Sequence, residues 1–282
     1  MRFPVLSALI LLSGVSSSAA DKKDKPSSYS IERTLVKETG DGSGKEFVHN
    51  NVTYYIAKPS PANPRTKARS DIAVLYLTDV YGLPLPENQR LMDSFAMAGY
   101  LTVGPDLFQG VPAPNDINTP GFNTSVFLAK HTPEVTDPIV ASAIGYLRDK
   151  LKVKKVAVAG YCYGGKYAFR FVAGGGAQQA IADVAFSAHP SLLTESEISA
   201  VSKPMAVAAA ETDSLLNVTA RSNMEVLLKE TGQRYQVNLY SGTPHGFAVR
   251  ANLSDPQQKY GKEESFVQAV RWFDTFFITN GV

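Results

Sequence analysis

The chain has 282 residues but only one cysteine, Cys162, so no disulfide can form within it. Histidine is scarce too, with four residues (His49, His131, His189 and His245) to supply any imidazole chemistry. An excess of either charge is absent: 28 basic residues against 26 acidic ones give a net charge of +2. That balance points to neither a nucleic-acid surface nor a polybasic membrane patch, and leaves a small molecule as the expected partner. Hydrophobic residues make up 44% of the chain, which suits one sizeable α/β domain.

The N-terminus has the layout of a secretory signal: Arg2, an apolar run from Val5 to Leu12, then Ser16, Ser17, Ser18, Ala19 and Ala20. The apolar run is too short to span a bilayer, so cleavage near Ala20 is expected and no membrane span afterwards. Four glycosylation sequons, at Asn51, Asn123, Asn217 and Asn252, agree with a secreted, extracellular protein. A charged stretch from Asp21 to Pro26, followed by Ser and Gly punctuation to Gly44, reads as a solvated tail. The expected organisation is a signal over 1–20, a flexible segment over 21–45 and a single domain over 46–282.

Within that domain, short β-rich runs alternate with helical segments, the pattern of a mostly parallel sheet with crossover helices on both faces. Candidate strands are Val48 to Ala57, Ile72 to Leu77, Leu101 to Val103, Lys155 to Ala159, Val184 to Ser187, Met205 to Ala210 and Gln236 to Tyr240. Pro59 to Ser70 reads as an exposed loop. Helices are expected over Glu87 to Ala98, over Pro138 to Lys150, and at the C-terminus, where Phe266, Val270, Phe273 and Phe277 form one stripe. Gly174-Gly175-Gly176 reads as a flexible stop after a helix.

Gly160-Tyr161-Cys162-Tyr163-Gly164 stands between a strand and a helix, the setting of a nucleophile elbow with cysteine in place of serine. Such an elbow puts the side chain at the carboxyl end of a central strand and at a helix N-terminus, whose partial positive charge favours thiolate. The Tyr163 amide is then placed to donate to an oxyanion, and the Val80 amide, in the loop after Ile72 to Leu77, is the second candidate. The plainer reading of the lone cysteine is a buried, inert thiol.

Of the four histidines, His49 and His131 read as surface residues. His245 is the candidate base, because Pro244-His245-Gly246-Phe247 follows a strand and precedes the last helix. Asp213, at the end of the strand Met205 to Ala210, is the candidate to orient it; Glu211 is the fallback, and helix capping is the other reading of Asp213. His189 also ends a strand on the same rim, where it lines the pocket, shields the pair or merely marks a proline-stiffened exit. Asp79 is a candidate to influence the thiol, or else a loop-capping carboxylate.

These residues, with Pro105-Asp106-Leu107-Phe108-Gln109-Gly110, Lys166 and His245-Gly246-Phe247-Ala248-Val249-Arg250, resemble the dienelactone hydrolase family, in particular its fungal-type members. The resemblance implies an α/β-hydrolase fold and a Cys162-Asp213-His245 triad acting on an ester or lactone, with no metal and no organic cofactor. It also implies a carboxylate near the resting thiol, Asp79 here where bacterial members have Glu. Bacterial members bind a substrate carboxylate with arginines; Phe108-Gln109-Gly110 lacks one of these, and Arg250 stands for the other, its alternative being a surface pair with Asp255. A catalytically silent binding protein on the same fold is the competing function. A thiol redox enzyme would lack a second cysteine.

Overall fold

A computed structural model describes residues 35–174 and 181–279; the expected signal, residues 21–34 of the expected tail, and Gly175 and Gly176 lie outside the described residues. The stretch Val48 to Ala57, expected as one strand, is the end of one and the whole of another. Strand β1 (Lys45–His49) pairs antiparallel with β2 (Val52–Ala57), His49 facing Val52. Asn50 and Asn51 between them have φ of 50° and 60°. Two consecutive left-handed residues make the turn whose twist suits a two-residue hairpin, and asparagine tolerates that conformation well.

The other strands are β3 (Ile72–Leu77), β4 (Leu101–Pro105), β5 (Lys155–Tyr161), β6 (Val184–Ala188), β7 (Met205–Thr212) and β8 (Tyr235–Pro244). They form one sheet in the order β1-β2-β4-β3-β5-β6-β7-β8, parallel from β4 to β8. Every residue of β3 and of Met205 to Ala210 is buried. Side chains alternate between the two faces of a strand, so both faces of the sheet centre are covered. This is the α/β-hydrolase architecture that the sequence led us to expect.

The covering helices are α1 (Pro86–Met97), α2 (Thr124–Lys130), α3 (Pro133–Gly145), α4 (Tyr163–Arg170), α5 (Glu195–Ser199), α6 (Val218–Glu230), α7 (Phe247–Arg250) and α8 (Pro256–Phe277). The stripe of α8 is buried as expected, and Phe266 and Phe273 meet Phe95 of α1. Helix α3 starts five residues before the expected Pro138 because Pro133 occupies its first turn, where proline costs nothing. Pro138 then sits inside the helix, a cost of about 3 kcal/mol offset by burial of Ile139, Val140, Ala143 and Ile144. Tyr146 to Lys150 continue the helix as a wider π turn that buries Leu147 but leaves Tyr146 half exposed. Arg170 of α4 ties α3 and α5 together through Asp137 and Glu197.

Residues 35–44 are not a solvated tail. Val36 is buried, and Asp93 of α1 accepts hydrogen bonds from Lys37 Nζ, Ser43 and Tyr55. Lys262 of α8 pairs with Glu38 at 2.7 Å. The physical reason is charge: polar residues that look loop-forming in isolation are drawn to buried partners of opposite sign, each such bond contributing about 1.5 to 3 kcal/mol.

Because the strands from β4 to β8 run the same way, the chain leaves each of β3, β5, β6, β7 and β8 on one rim. The outside of that rim is where open parallel sheets collect chemistry. Five loops therefore converge there, carrying Asp79, Cys162, His189, Asp213 and His245 respectively.

Candidate active site

Cys162 joins β5 to α4 with φ 51° and ψ −111°, a backbone conformation that an L residue rarely takes. The helix can start so abruptly because Gly164 lies against the end of β3: a Cβ there would fall 2.3 Å from the Leu77 carbonyl oxygen. Its N–H instead bonds the Thr78 carbonyl at 3.0 Å. The Cys162 N–H bonds the Ala188 carbonyl of β6 at 3.1 Å, which ties the elbow to the neighbouring strand as well.

Three side chains from three loops meet here. His245 Nε2 lies 3.1 Å from Cys162 Sγ, and His245 Nδ1 lies 2.8 Å from Asp213 Oδ2. Asp213 has a fully buried side chain and also accepts the N–H groups of Leu215 and Leu216 on its other oxygen. It therefore does two jobs, since it closes the turn after β7 while Asn217, not Asp213, caps α6. Glu211, the fallback, is exposed and bonds Ser241 and Gly242, away from the imidazole.

Burial alone would discharge the His245 ring, but the bonds to Asp213 and Cys162 outweigh it and push its pKa up to about 10. Asp213, also penalised by burial, is held below the usual carboxylate range by His245 and by its two backbone donors. The two shifts together favour an imidazolium paired with the Asp213 carboxylate.

The oxyanion candidates occupy suitable backbone. In α4, the Gly164 N–H is bonded to Thr78 and that of Gly165 to Cys162, which leaves Tyr163 as the first-turn donor beside the sulfur. In the turn after β3, the Tyr81 and Gly82 N–H groups are both bonded to Asp79, so Val80 is the amide of residues 80–82 that the turn does not use.

Asp79 is fully buried, and burial raises its pKa. It accepts from Tyr81 N–H, from Asn88 Nδ2 at 2.9 Å and from Arg250 Nε at 3.2 Å. No hydrogen bond among the described residues joins it to Cys162, so its position is beside the arginine and not on the thiol. Arg250 lies over the Tyr81 ring, 4.4 Å from its centroid. Asp255 is not its partner, because that carboxylate caps α8.

His189 is buried, adopts φ 37° and packs edge-on against His245 with ring centroids 5.0 Å apart. Among the described residues neither of its ring nitrogens has a hydrogen-bond partner. Burial first, then the charges of His245 and Arg250, keeps it neutral. His131 is also buried, contrary to its reading as a surface residue: it closes α2, with Nδ1 2.8 Å from the Phe127 carbonyl and Phe108 packed against its ring. Its carbonyl accepts the Tyr163 hydroxyl at 2.6 Å. His49 is half-buried on the edge strand, packed on Tyr146.

Two residues at the site carried no signal in the sequence. Asn88 links Asp79, Tyr76 and the Gly82 carbonyl, and Ser191 places its hydroxyl 3.7 Å from Cys162 Sγ. A groove of about 800 Å³ along β8 and α8, lined by Leu239, Gln257 and Tyr260 among others, lies apart from the cysteine. Among the described residues no group of three or more His, Cys, Asp or Glu could hold a metal ion.

The family model for the dienelactone hydrolase family matches residues 55–277. The chain belongs to the dienelactone hydrolase family. It is 35% identical to hydrolase pyvD of Aspergillus violaceofuscus over 237 residues, 84% of this chain and 92% of that one. It is 38% identical to hydrolase tropI of Talaromyces stipitatus over 216 residues, 73% of this chain and 82% of the other. Among solved structures, the thermophilic esterase Est2 of Thermogutta terrifontis shares the fold, with a TM-score of 0.58 at 15% identity, covering 85% of this chain and 95% of that one.

The electrostatics of this dienelactone hydrolase site give a direct test. The His245 ring, followed by NMR, should titrate near pH 10 in the wild type and lower in both Cys162→Ala and Asp213→Asn, each of which removes one raising partner. Because the folded value lies above the ordinary one near 6.5, the pairing stabilises the fold fully below about pH 6.5. That contribution is lost as pH rises through about 10. An unchanged titration in both variants would contradict the coupling.

Proposed function

We propose that the protein is a secreted, fungal-type hydrolase that opens ester or lactone bonds with Cys162 as nucleophile, His245 as base and acid, and Asp213 as its orienting partner. The observation that carries this reading is the unbroken chain from Asp213 to His245 to a cysteine on a strained elbow, with bonds of 2.8 and 3.1 Å. Such a chain is the arrangement that activates a weak nucleophile.

The chemistry follows from these positions. The Cys162 sulfur attacks the substrate carbonyl carbon, and the developing oxyanion is met by the Tyr163 and Val80 N–H groups. His245 gives its Nε2 proton to the departing alkoxide, leaving an acyl thioester. A water molecule then attacks, His245 takes its proton, and the C–S bond breaks with its electron pair returning to sulfur. Asp213 keeps Nδ1–H fixed throughout, which holds Nε2 toward the sulfur. In a lactone the alkoxide stays attached to the acyl group, so one hydroxy acid is the product.

The expected outcome for Cys162→Ala is a loss of turnover of at least about 10³-fold on a panel of dienelactones, aliphatic lactones and aryl esters. The fold should be unaffected, because little core volume goes. Cys162→Ser should retain at most a small fraction, since a site built around a thiolate deprotonates an alcohol poorly. Wild-type turnover by the alanine variant would leave the protein a silent binding member of its family.

Arg250 is the residue that would read substrate charge. Its Nε is committed to Asp79, and its side chain is one-third exposed at the rim. A substrate carboxylate meeting the free edge would gain a charge-assisted bond of about 1.5 to 3 kcal/mol, reduced by the Asp79 charge behind it. The ratio of kcat/KM for a free acid to that for its methyl ester should therefore fall by roughly tenfold in Arg250→Ala. An equal ratio in both proteins would make a neutral ester or lactone the substrate.

Secretion is supported by the expected signal over 1–20 and by the surface. The four sequon asparagines, Asn51, Asn123, Asn217 and Asn252, are all exposed. Asn123, Asn217 and Asn252 use only Oδ1 in the local bonds seen, an arrangement that keeps Nδ2 open for a glycan. No helix among the described residues is long and apolar enough to cross a membrane. Expressed from a eukaryotic host, the protein should reach the medium, begin at Asp21 and shift to lower mass on N-glycosidase treatment. Retention inside the cell with Met1 intact would refute this.

A further inference from the structure

Among the described residues, Cys162 Sγ has two polar neighbours. One is His245 Nε2, and the other is the hydroxyl of Ser191, 3.7 Å away in the loop after β6. Ser191 is buried at 3% exposure, and its own N–H bonds the Cys162 carbonyl at 3.1 Å. That backbone bond fixes the serine against the elbow residue itself. Two residues earlier, the His189 N–H bonds the Ala208 carbonyl of β7 at 2.8 Å, so the loop is anchored on both sides of Pro190.

We propose that Ser191 is a second hydrogen-bond donor to the Cys162 thiolate, acting on the sulfur itself both at rest and when it leaves the acyl intermediate. The inference rests on the reading of Cys162 as nucleophile. A thiolate has several lone pairs, and the imidazolium satisfies one direction only. A buried hydroxyl has a rotatable proton, and with the sulfur uncharged it can turn to accept instead. When the thioester breaks, the electron pair of the C–S bond moves to sulfur, and the Ser191 hydroxyl meets the charge as it forms. No proton is transferred from Ser191 and no co-reactant is needed.

The other charged or titratable groups around the pair come from every neighbouring loop. Asp213 follows β7, His189 follows β6, Asp79 and Tyr81 follow β3, and Arg250 belongs to α7. Only Ser191 and His245 make a polar contact with the sulfur among the described residues. Removing the hydroxyl alone therefore isolates its contribution.

The experiment is the pH dependence of Cys162 alkylation by iodoacetamide, whose midpoint belongs to the Cys162 and His245 pair. In Ser191→Ala the midpoint should move up by about half to one unit, with a fall in kcat/KM of about tenfold. Ser191→Thr, which keeps the hydroxyl, should hold the wild-type midpoint. Thermal melting checks that each variant is folded, and Ser191→Gly replaces the alanine variant if that one is not. An unmoved midpoint on loss of the hydroxyl overturns the proposal even if stability or turnover falls, because Ser191 then only packs. A shift in the threonine variant equal to that in alanine overturns it too. Failure of the nucleophile assignment shows elsewhere, as turnover retained by Cys162→Ala, since alkylation reads the thiol and needs no substrate.

Discussion

The rest of the site depends on one strained residue. At φ 51° and ψ −111°, Cys162 sits in a conformation that costs about 1 to 3 kcal/mol for a residue with a side chain. It persists because its surroundings leave no alternative. Its N–H is fixed to Ala188, its carbonyl takes the N–H groups of Gly165 and Ser191, and Gly164 is fixed to Thr78. Gly165 apart, those partners come from the ends of β3 and β6, the neighbours of β5 on either side, or from the loop after β6. The sheet order is thus what makes the turn possible: a relaxed elbow would release contacts with both flanking strands.

Charge is distributed around this turn in a repeated form. Two carboxylates, Asp79 and Asp213, have fully buried side chains, and each holds a cation that is partly open to solvent. Both cations lie on the short stretch from His245 to Arg250. Gly246 makes that spacing usable: it has φ 88°, and a Cβ there would fall 2.7 Å from the Arg250 guanidinium. Buried His189, packed against the His245 ring, is kept neutral by burial and by the charges of His245 and Arg250. One imidazole is charged and its neighbour is not, although their rings are 5.0 Å apart, because only one has a carboxylate to bond.

What the sequence made legible was what is local. The elbow is written in five consecutive residues, and the three side chains of the chain from Asp213 to Cys162 each follow a recognisable strand. What escaped was set by tertiary partners. Nothing near His131 announces that Phe108, Phe127 and Tyr163 will enclose it. The turn at Asn50-Asn51 occupies only two residues within Val48 to Ala57, too short a break to separate two strands in the sequence. The helix expected from Pro138 begins at Pro133, so Pro138 lies inside it, a penalty that core burial from α3 outweighs. Ser191 follows a proline in an unremarkable loop, and only its backbone bond to Cys162 brings it to the sulfur.

The place of Asp79 follows from counting its donors. A carboxylate has about four acceptor sites. Here the N–H of Tyr81, the amide of Asn88 and the guanidinium of Arg250 all point to it. Asn88 is itself fixed, since it also donates to Gly82 and accepts from Tyr76. A group held on three sides by donors, two of them buried, has no freedom to swing toward a thiol, and the shorter aspartate side chain reduces its reach further. The thiol proton therefore has His245 as its neighbour, at 3.1 Å, and the resting geometry already has sulfur and imidazole in contact. Asp79 instead organises the rim: it anchors Arg250 over Tyr81 and closes the turn after β3 by accepting the N–H groups of Tyr81 and Gly82.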